Sequence, residues 1–308
     1  MDTTDKAIVV VGATGLQGRA VTKHLLNNGW PVRALTRNPD SASARALADI
    51  GARIVRAEMA DVASLIAAAE GAYGVFSVQP TVGSPGTAPG FTADDEIRWG
   101  VNVAEAAHAA GVAHFVFTSV AGAGRHDGEK VPQNLVSKWR IEQHIAELGL
   151  PATILRPVSF MENYTGGYHL HNSAVTAAFE SDVPQQVMAV DDVGVLTALV
   201  FAQPTDWIGR AIDLAGDELT PVQIAAAISE AIGRPLPYVQ IPIDAIRQIG
   251  EEFAYGYEWL NTLGYRADIS GARRIHPNLM DLRTWLTVTG AAQISTFLAT
   301  QDGSGQHA

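Results

Sequence analysis

The chain has 308 residues, of which 47% are hydrophobic and 17% charged, so it can bury a large core and is not a disordered chain. Lys+Arg 21 against Asp+Glu 32 leaves a net charge of −11, which argues against nucleic acid as a partner, because neutralising phosphates needs clustered cations. With Cys 0 there is no disulfide, thiol nucleophile or thiolate metal site, which fits a reducing compartment.

No apolar run reaches the roughly 18 residues of a membrane span. Met1–Lys6 lacks the basic-then-apolar pattern of a secretory signal. The expectation is a soluble, cytoplasmic α/β protein of one to two domains.

The elements follow in chain order. Lys6–Val11, with Ile8, Val9, Val10 and Val11 in succession, reads as a strand buried on both faces. Gly15–Asn27 reads as a helix closed by Gly29. Pro31–Thr36, Ala52–Ala57, Tyr73–Val78, His114–Ser119 and Ala152–Arg156 read as further strands. The helices Asp40–Ile50, Asp61–Glu70, Thr92–Ala110 and Pro132–Leu148 alternate with them. A Gly- and Pro-rich loop, Gln79–Gly90, follows the fourth strand. Such alternation implies βαβ crossovers and a parallel sheet covered by helices.

After Pro157 the pattern weakens. Met188–Val190 and Ala211–Leu214 read as short strands around a helix from Asp191 to Ala202. Thr220-Pro221-Val222-Gln223 is a capping box with Pro at the first helical position, and the helix it opens ends near Gly233. The fold class expected from this pattern is α/β, with a parallel sheet covered on both faces and a less regular, more helical C-terminal part, and residues 301–308 read as a frayed tail.

Gly12-Ala13-Thr14-Gly15-Leu16-Gln17-Gly18 follows the first strand and opens the first helix. Its G-x-x-G-x-x-G spacing is a variant of the dinucleotide fingerprint. Gly12 allows the tight turn, Gly15 lets a pyrophosphate approach the backbone, and Gly18 lets the helix pack on the strand. The helix N-terminus offers unpaired N–H groups to the phosphates.

An NAD site carries an acid about 20 residues further on, accepting from the ribose 2′-OH. Here the chain reads Leu35-Thr36-Arg37-Asn38-Pro39, with no acid, and the Arg37 fork suits a 2′-phosphate. NADP(H) is therefore expected over NAD(H). Asp61 is placed to accept from the adenine amino group or to cap its helix, roles that can coexist. Gln79 and Pro80 would lie over the middle of the coenzyme, and Thr118-Ser119 would face the nicotinamide ribose.

Ile141, Ile145 and Leu148 form the buried stripe of the helix after the fifth strand, and three residues back on that stripe stands Lys138. A lysine facing the sheet is unfavourable unless its ammonium has a partner or reaches water. Lys138 is thus a candidate for binding the ribose hydroxyls, and otherwise a snorkelling lysine.

Together, Gly12–Gly18, Thr36-Arg37-Asn38-Pro39, Ser137-Lys138 with Glu142, and Leu155-Arg156-Pro157 followed by Phe160-Met161-Glu162-Asn163 resemble the NmrA-like atypical short-chain dehydrogenases/reductases. The stretches Asp191–Gly194, Leu214–Thr220, Gly264-Tyr265 and His276-Pro277 extend the resemblance over nearly the whole chain. It implies an α/β fold with a Rossmann doubly wound parallel sheet and a smaller, mainly helical C-terminal subdomain. Residues 1–156 would be the NADP(H)-binding domain, with 186–215 returning to it and Pro157 among the coenzyme-side residues. Residues 157–185 and 216–300 would be a cap closing a substrate cleft.

The chain departs from ordinary short-chain reductases, which use Tyr-x-x-x-Lys with Tyr as proton donor. Four residues before Lys138 stands Asn134, which gives up no proton near neutral pH. The usual catalytic Ser matches Ser119 or Val120. Lys138 alone resembles the arrangement in isoflavone-reductase-like and quinone-reductase-like relatives, where it would bind the ribose and polarise a carbonyl.

Phe160, Met161, Asn163, Tyr164 and Tyr168 resemble the segment flanking the acceptor pocket, with Tyr164 and Tyr168 as apolar lining or as replacements for the missing Tyr. The resemblance implies an oxidoreductase acting on a small quinone, aromatic or carbonyl acceptor. Its alternative is a non-catalytic redox sensor acting through a regulatory protein partner, and a homodimer stays open.

Other signals read more plainly. His169-Leu170-His171 makes a poor metal pair and is expected on a loop or helix surface. Asp94-Asp95-Glu96 and Asp191-Asp192 read as helix-start acids. Gly122–Gly124 and Arg125-His126-Asp127-Gly128 read as a mobile loop able to cover a cleft. The aromatic residues around Tyr255–Tyr265 read as core and cleft wall.

Overall fold

The computed structural model describes residues 6–84, 87–125 and 130–304. The chain divides into two compact units, one of Met1–His126, Gln133–Arg156 and Val190–Ile212, the other of Asp127–Pro132, Pro157–Ala189 and Asp213–Ala308.

In the first unit the order is β1 (Ile8–Val10), α1 (Leu16–Asn27), β2 (Val32–Thr36), α2 (Ala42–Asp49), β3 (Arg53–Arg56), α3 (Val62–Ala69), β4 (Gly74–Ser77), α4 (Ala93–Ala109), β5 (His114–Thr118), α5 (Gln133–Glu147), β6 (Ala152–Pro157) and α6 (Val190–Ala202). A seven-stranded sheet runs in the order Ala211–Leu214, β6, β5, β4, β1, β2, β3. Neighbouring strands from β6 to β3 pair in parallel. The chain steps outward from β1 to β3 and then returns to β4 on β1's other side, so the strand order reverses between β1 and β4. That switch point is where open α/β sheets take ligands. β1, β4 and β5 are buried at every residue, which is why their centres are apolar without alternation, with polar residues only at the ends of β4 and β5.

Two glycines bring helices close. A Cβ on Gly194 of α6 would lie 2.7 Å from the Ala20 carbonyl oxygen of α1, and one on Gly100 of α4 would lie 2.5 Å from Ile141 Cδ1 of α5.

The second unit holds two three-stranded sheets, one of Asp217–Leu219, Gln185–Met188 and Ser159–Phe160, the other of Tyr238–Gln240, Ala174–Ala177 and Leu170–His171. The helix Pro221–Ile232 has both capping-box bonds, Gln223 N–H to Thr220 Oγ1 at 3.2 Å and Thr220 N–H to Gln223 Oε1 at 2.9 Å, and ends at Gly233 with φ +66°. Met161, Val187, Ile224, Ile228, Leu282 and Trp285 share its core.

Several local readings are corrected. The strand expected at Met188–Val190 lies at Gln185–Met188, and Val190 already begins α6. Its two glutamines disguised it. Gln186 is buried because its side-chain amide grips Ala267, donating to the carbonyl at 3.0 Å and accepting from the N–H at 2.8 Å. The tail expected to fray from residue 301 continues the helix Ala291–Ser304 as far as Ser304, and residues 305–308 lie outside the described residues. The turn at Gly122–Gly124 is packed, with Ala121 and Ala123 buried and a Cβ on Gly124 due 2.8 Å from the Trp139 ring. His126, Asp127 and Gly128, and Met1–Asp5, also lie outside the described residues.

Candidate functional site

The first unit gathers its candidate residues at the carboxyl ends of β1, β2, β4 and β5. Gly12 has φ +71°, and a Cβ there would meet Val78 Cγ1 at 2.8 Å. A Cβ on Gly18 would lie 2.2 Å from the Gly12 carbonyl oxygen, closer than any side chain permits. Gly15, Leu16 and Gln17 open α1, whose N-cap Gly15 has no side-chain capping bond. The N–H groups of that first turn are thus not claimed by a capping side chain. Gly15 is exposed, and Leu16 is 50% exposed despite being apolar. Thr14 is half-buried beside them.

Buried polar atoms without a hydrogen-bond partner recur in the same region: Gln17 Oε1, Gln79 Oε1, Thr118 Oγ1 and Lys138 Nζ. Buried polar groups are normally satisfied, so this set, with the glycine cradle, suits a large polar ligand lying across the strand ends. A dinucleotide fits that demand.

Arg37 is exposed after β2 and makes no hydrogen bond or ion pair among the described residues. Asn38 is engaged in its own turn, its Oδ1 accepting from Asp40 N–H at 3.1 Å. Asp61 is the N-cap of α3, accepting from Ser64 N–H at 3.2 Å. Gln79 is buried and donates to Ser77 Oγ at 2.8 Å, while Pro80 is half-buried.

Lys138 is 5% exposed and its ammonium pairs with Glu96, which is fully buried. Glu96 is therefore no surface helix-start acid. The capping box of α4 belongs to Thr92 and Asp95, and Glu96 points inward, accepting from Thr81 Oγ1 at 3.0 Å and from Ser137 Oγ at 2.7 Å. Ser119 Oγ donates to Glu142, whose carboxylate also takes the Arg156 guanidinium, Nε at 3.0 Å. The hydroxyl proton of Ser119 is thus held by a carboxylate. Glu142 enters the sequence reading only through the resemblance and Glu96 only as a helix-start acid; nothing local ties them to Ser119 and Lys138, 23 and 42 residues away in the chain.

In the second unit Pro157, which ends β6, is buried, Phe160 and Asn163 are half-buried, and Met161 and Tyr164 are buried. Tyr168 is 45% exposed. His169, expected on a surface, is 4% exposed: its ring stacks on Tyr164 at 4.9 Å and meets Tyr168 edge-on at 4.7 Å. Burial holds its pKa down to about 4, so the ring is neutral at physiological pH. Its Nδ1 lies 3.0 Å from the Thr176 carbonyl oxygen, a contact that places the hydrogen on Nδ1. His171 alone of that pair is exposed, and among the described residues no cluster of metal-ligating side chains occurs. Burial raises the phenol of Tyr164 far above its ordinary value, and that of Tyr168 shifts in the same direction from the part of its side chain packed against His169. Both favour the neutral, hydrogen-bearing form.

A reversal of strand order flanked by a glycine cradle defines a dinucleotide-binding α/β protein. The sequence pattern of the NmrA-like family matches residues 4–286. An NmrA-like family domain-containing protein of Dictyostelium discoideum is 26% identical over 300 residues, covering 91% of this chain and 95% of its own. A (4-alkanoyl-5-oxo-2,5-dihydrofuran-3-yl)methyl phosphate reductase of Streptomyces griseus is 32% identical over 243 residues, covering 78% of this chain and 79% of its own. The structure of NmrA, a negative transcriptional regulator, in complex with NADP superposes with a TM-score of 0.74 at 22% identity, over 95% of this chain and 98% of that one. The chain belongs to the NmrA-like family. No helix among the described residues is long and apolar enough to cross a membrane.

Proposed function

We propose that this protein is an NADPH-dependent oxidoreductase that reduces a small conjugated acceptor, a quinone or an unsaturated carbonyl compound. One observation carries the reading: an amine, Lys138, buried on the helix after β5 and still offering hydrogen-bond donors, in the unit that carries the glycine cradle. The nicotinamide would supply the hydride. Lys138 would donate to the ribose hydroxyls and polarise the acceptor oxygen, and Arg37 would read the 2′-phosphate.

The acceptor class follows from the proton donors. Asn134 has no acidic proton, and the hydroxyl of Ser119 is engaged by Glu142. Hydride addition to a quinone or an unsaturated carbonyl leaves a delocalised anion that water can protonate, so a dedicated acid is needed less than for a plain ketone. The reductase similar to this chain acts, by its name, on a dihydrofuranone, an unsaturated lactone.

The same lack of a donor favours a second reading, a nucleotide-binding sensor that acts through a regulatory protein. NADPH mixed with a panel of quinones and unsaturated lactones, followed by coenzyme absorbance, separates the two. Turnover that falls in Lys138→Ala supports the reductase. Tight NADPH binding with no acceptor reduced would overturn it in favour of the sensor.

A further inference from the structure

The Glu96–Lys138 pair is lopsided. A buried ion pair is stable when both partners fill their remaining hydrogen-bonding positions. Glu96 does so. Thr81 Oγ1 donates to Oε1 at 3.0 Å, Ser137 Oγ donates to Oε2 at 2.7 Å, and the Lys138 ammonium lies against Oε1. Lys138 does not. Among the described residues its Nζ meets no acceptor besides Glu96. Its remaining neighbour is the Phe117 ring, 6.0 Å to the centroid, which attracts the charge but takes no proton from its donors in a directed bond. Each carboxylate oxygen accepts from a hydroxyl, whereas among the described residues the ammonium meets that one carboxylate alone.

Reach between the two depends on Gly100. It follows Glu96 by one turn of α4, and Ile141 follows Lys138 by one turn of α5. A Cβ on Gly100 would lie 2.5, 2.7 and 2.9 Å from three carbons of the Ile141 side chain. With only hydrogen there, the helices approach closely enough for Glu96 to meet Lys138, 42 residues further along the chain.

We propose that Glu96 is a positioning residue: it aims Lys138, while leaving the ammonium hydrogens for a neutral ligand oxygen, namely the vicinal hydroxyls of the nicotinamide ribose. This rests on the coenzyme reading above. Thr81, in the loop after β4, and Ser137, beside Lys138 on α5, hold the carboxylate still, so the lysine's orientation is tied to that loop and to its own helix. Glu96 touches no ligand.

The test is a coenzyme-binding cycle by calorimetry on the full chain, with Lys138→Met, Glu96→Gln and the double variant. Gln keeps the shape and can still meet Thr81 and Ser137, but it carries no charge. Glu96→Gln is expected to raise the NADPH Kd about tenfold, the scale of one charge-assisted hydrogen bond. In the Lys138→Met background it should add nothing. Thermal stability should fall in Glu96→Gln and partly recover in the double variant, because both charges then leave the core together.

Should Glu96→Gln fold poorly, Glu96→Asp retains the charge one methylene short and should give an intermediate Kd. An unchanged NADPH Kd in Glu96→Gln, or in Lys138→Met, overturns the positioning role while the coenzyme reading stands. Absence of any NADPH binding by the unaltered protein removes the coenzyme reading, and the positioning role with it.

Discussion

His114 gives a sharp test of how strongly the sheet interior controls charge. It opens β5, is fully buried, and sits edge-on to Phe201 with centroids 5.2 Å apart. Its Nε2 lies 2.8 Å from Thr153 Oγ1, and that hydroxyl donates its own hydrogen to the Trp207 carbonyl at 2.9 Å. Nε2 must therefore carry the imidazole hydrogen and donate to Thr153. Among the described residues Nδ1 has no hydrogen-bond partner, so a second proton would be buried and unpaired, and burial lowers the pKa from 6.5 to about 4.

The sign follows directly. The unfolded chain takes up the proton near 6.5 and the folded one only near 4, so stability falls as pH drops through that window. Between pH 7 and pH 5 the loss from this residue is about 2 kcal/mol. Other groups titrate in the same range, so the assay compares two proteins. Chemical denaturation of wild type and His114→Gln at both pH values isolates the residue, because Gln keeps a donor for Thr153 and does not titrate. The stability advantage of wild type should shrink by about 2 kcal/mol on going to pH 5. An advantage equal at both pH values, or an imidazole resonance of folded His114 titrating near 6.5, would refute the reasoning.

The other predictions concern the coenzyme cradle and one helix contact. Arg37→Ala should weaken NADP binding by about 1–3 kcal/mol and leave NAD nearly untouched; equal losses for both, measured by calorimetry, would show that Arg37 does not read the 2′-phosphate. Gly18→Ala puts a methyl 2.2 Å from the Gly12 carbonyl. It should cost about 1–3 kcal/mol of stability together with most of the coenzyme affinity, and unchanged affinity would count against the cradle. Asp191 accepts from Lys23 at 3.1 Å and lies 2.9 Å from His24 Nε2. The His24 contact chiefly holds its carboxyl down at about 2, so its contribution is present above the ordinary carboxylate pKa and lost as pH falls through about 2. Because its side chain is 43% exposed, Asp191→Asn should cost only about 1 kcal/mol at pH 7, and nothing once the carboxylate is protonated.

Much of the site was legible from residue order alone. Gly12, Gly15 and Gly18 announce a turn and a close packing that are local in sequence, and Lys138 stands out because it breaks the apolar stripe of its own helix. The capping box at Thr220–Gln223 and the stop at Gly233 were equally readable, since each involves groups within one helical turn. Glu96 does stand in the first turn of α4 with Asp94 and Asp95, as expected, but its inward direction and its pairing with Lys138 were not legible, because acids there normally face water and the helix dipole. Nothing within its own helix distinguishes it from them.

His169, expected on a loop or helix surface, and Gln185-Gln186, left outside the strand expected at Met188–Val190, are buried because of partners beyond their immediate neighbours. Tyr164 stacks on the His169 ring, and Gln186 holds the backbone of Ala267. Local pattern encodes period, caps and glycine freedom, because these depend on neighbours within a few residues. Which carboxylate faces Lys138, and which holds Ser119, depends on how closely separate helices and strands approach. That distance is set by contacts such as Gly100 on Ile141, between segments far apart in the chain.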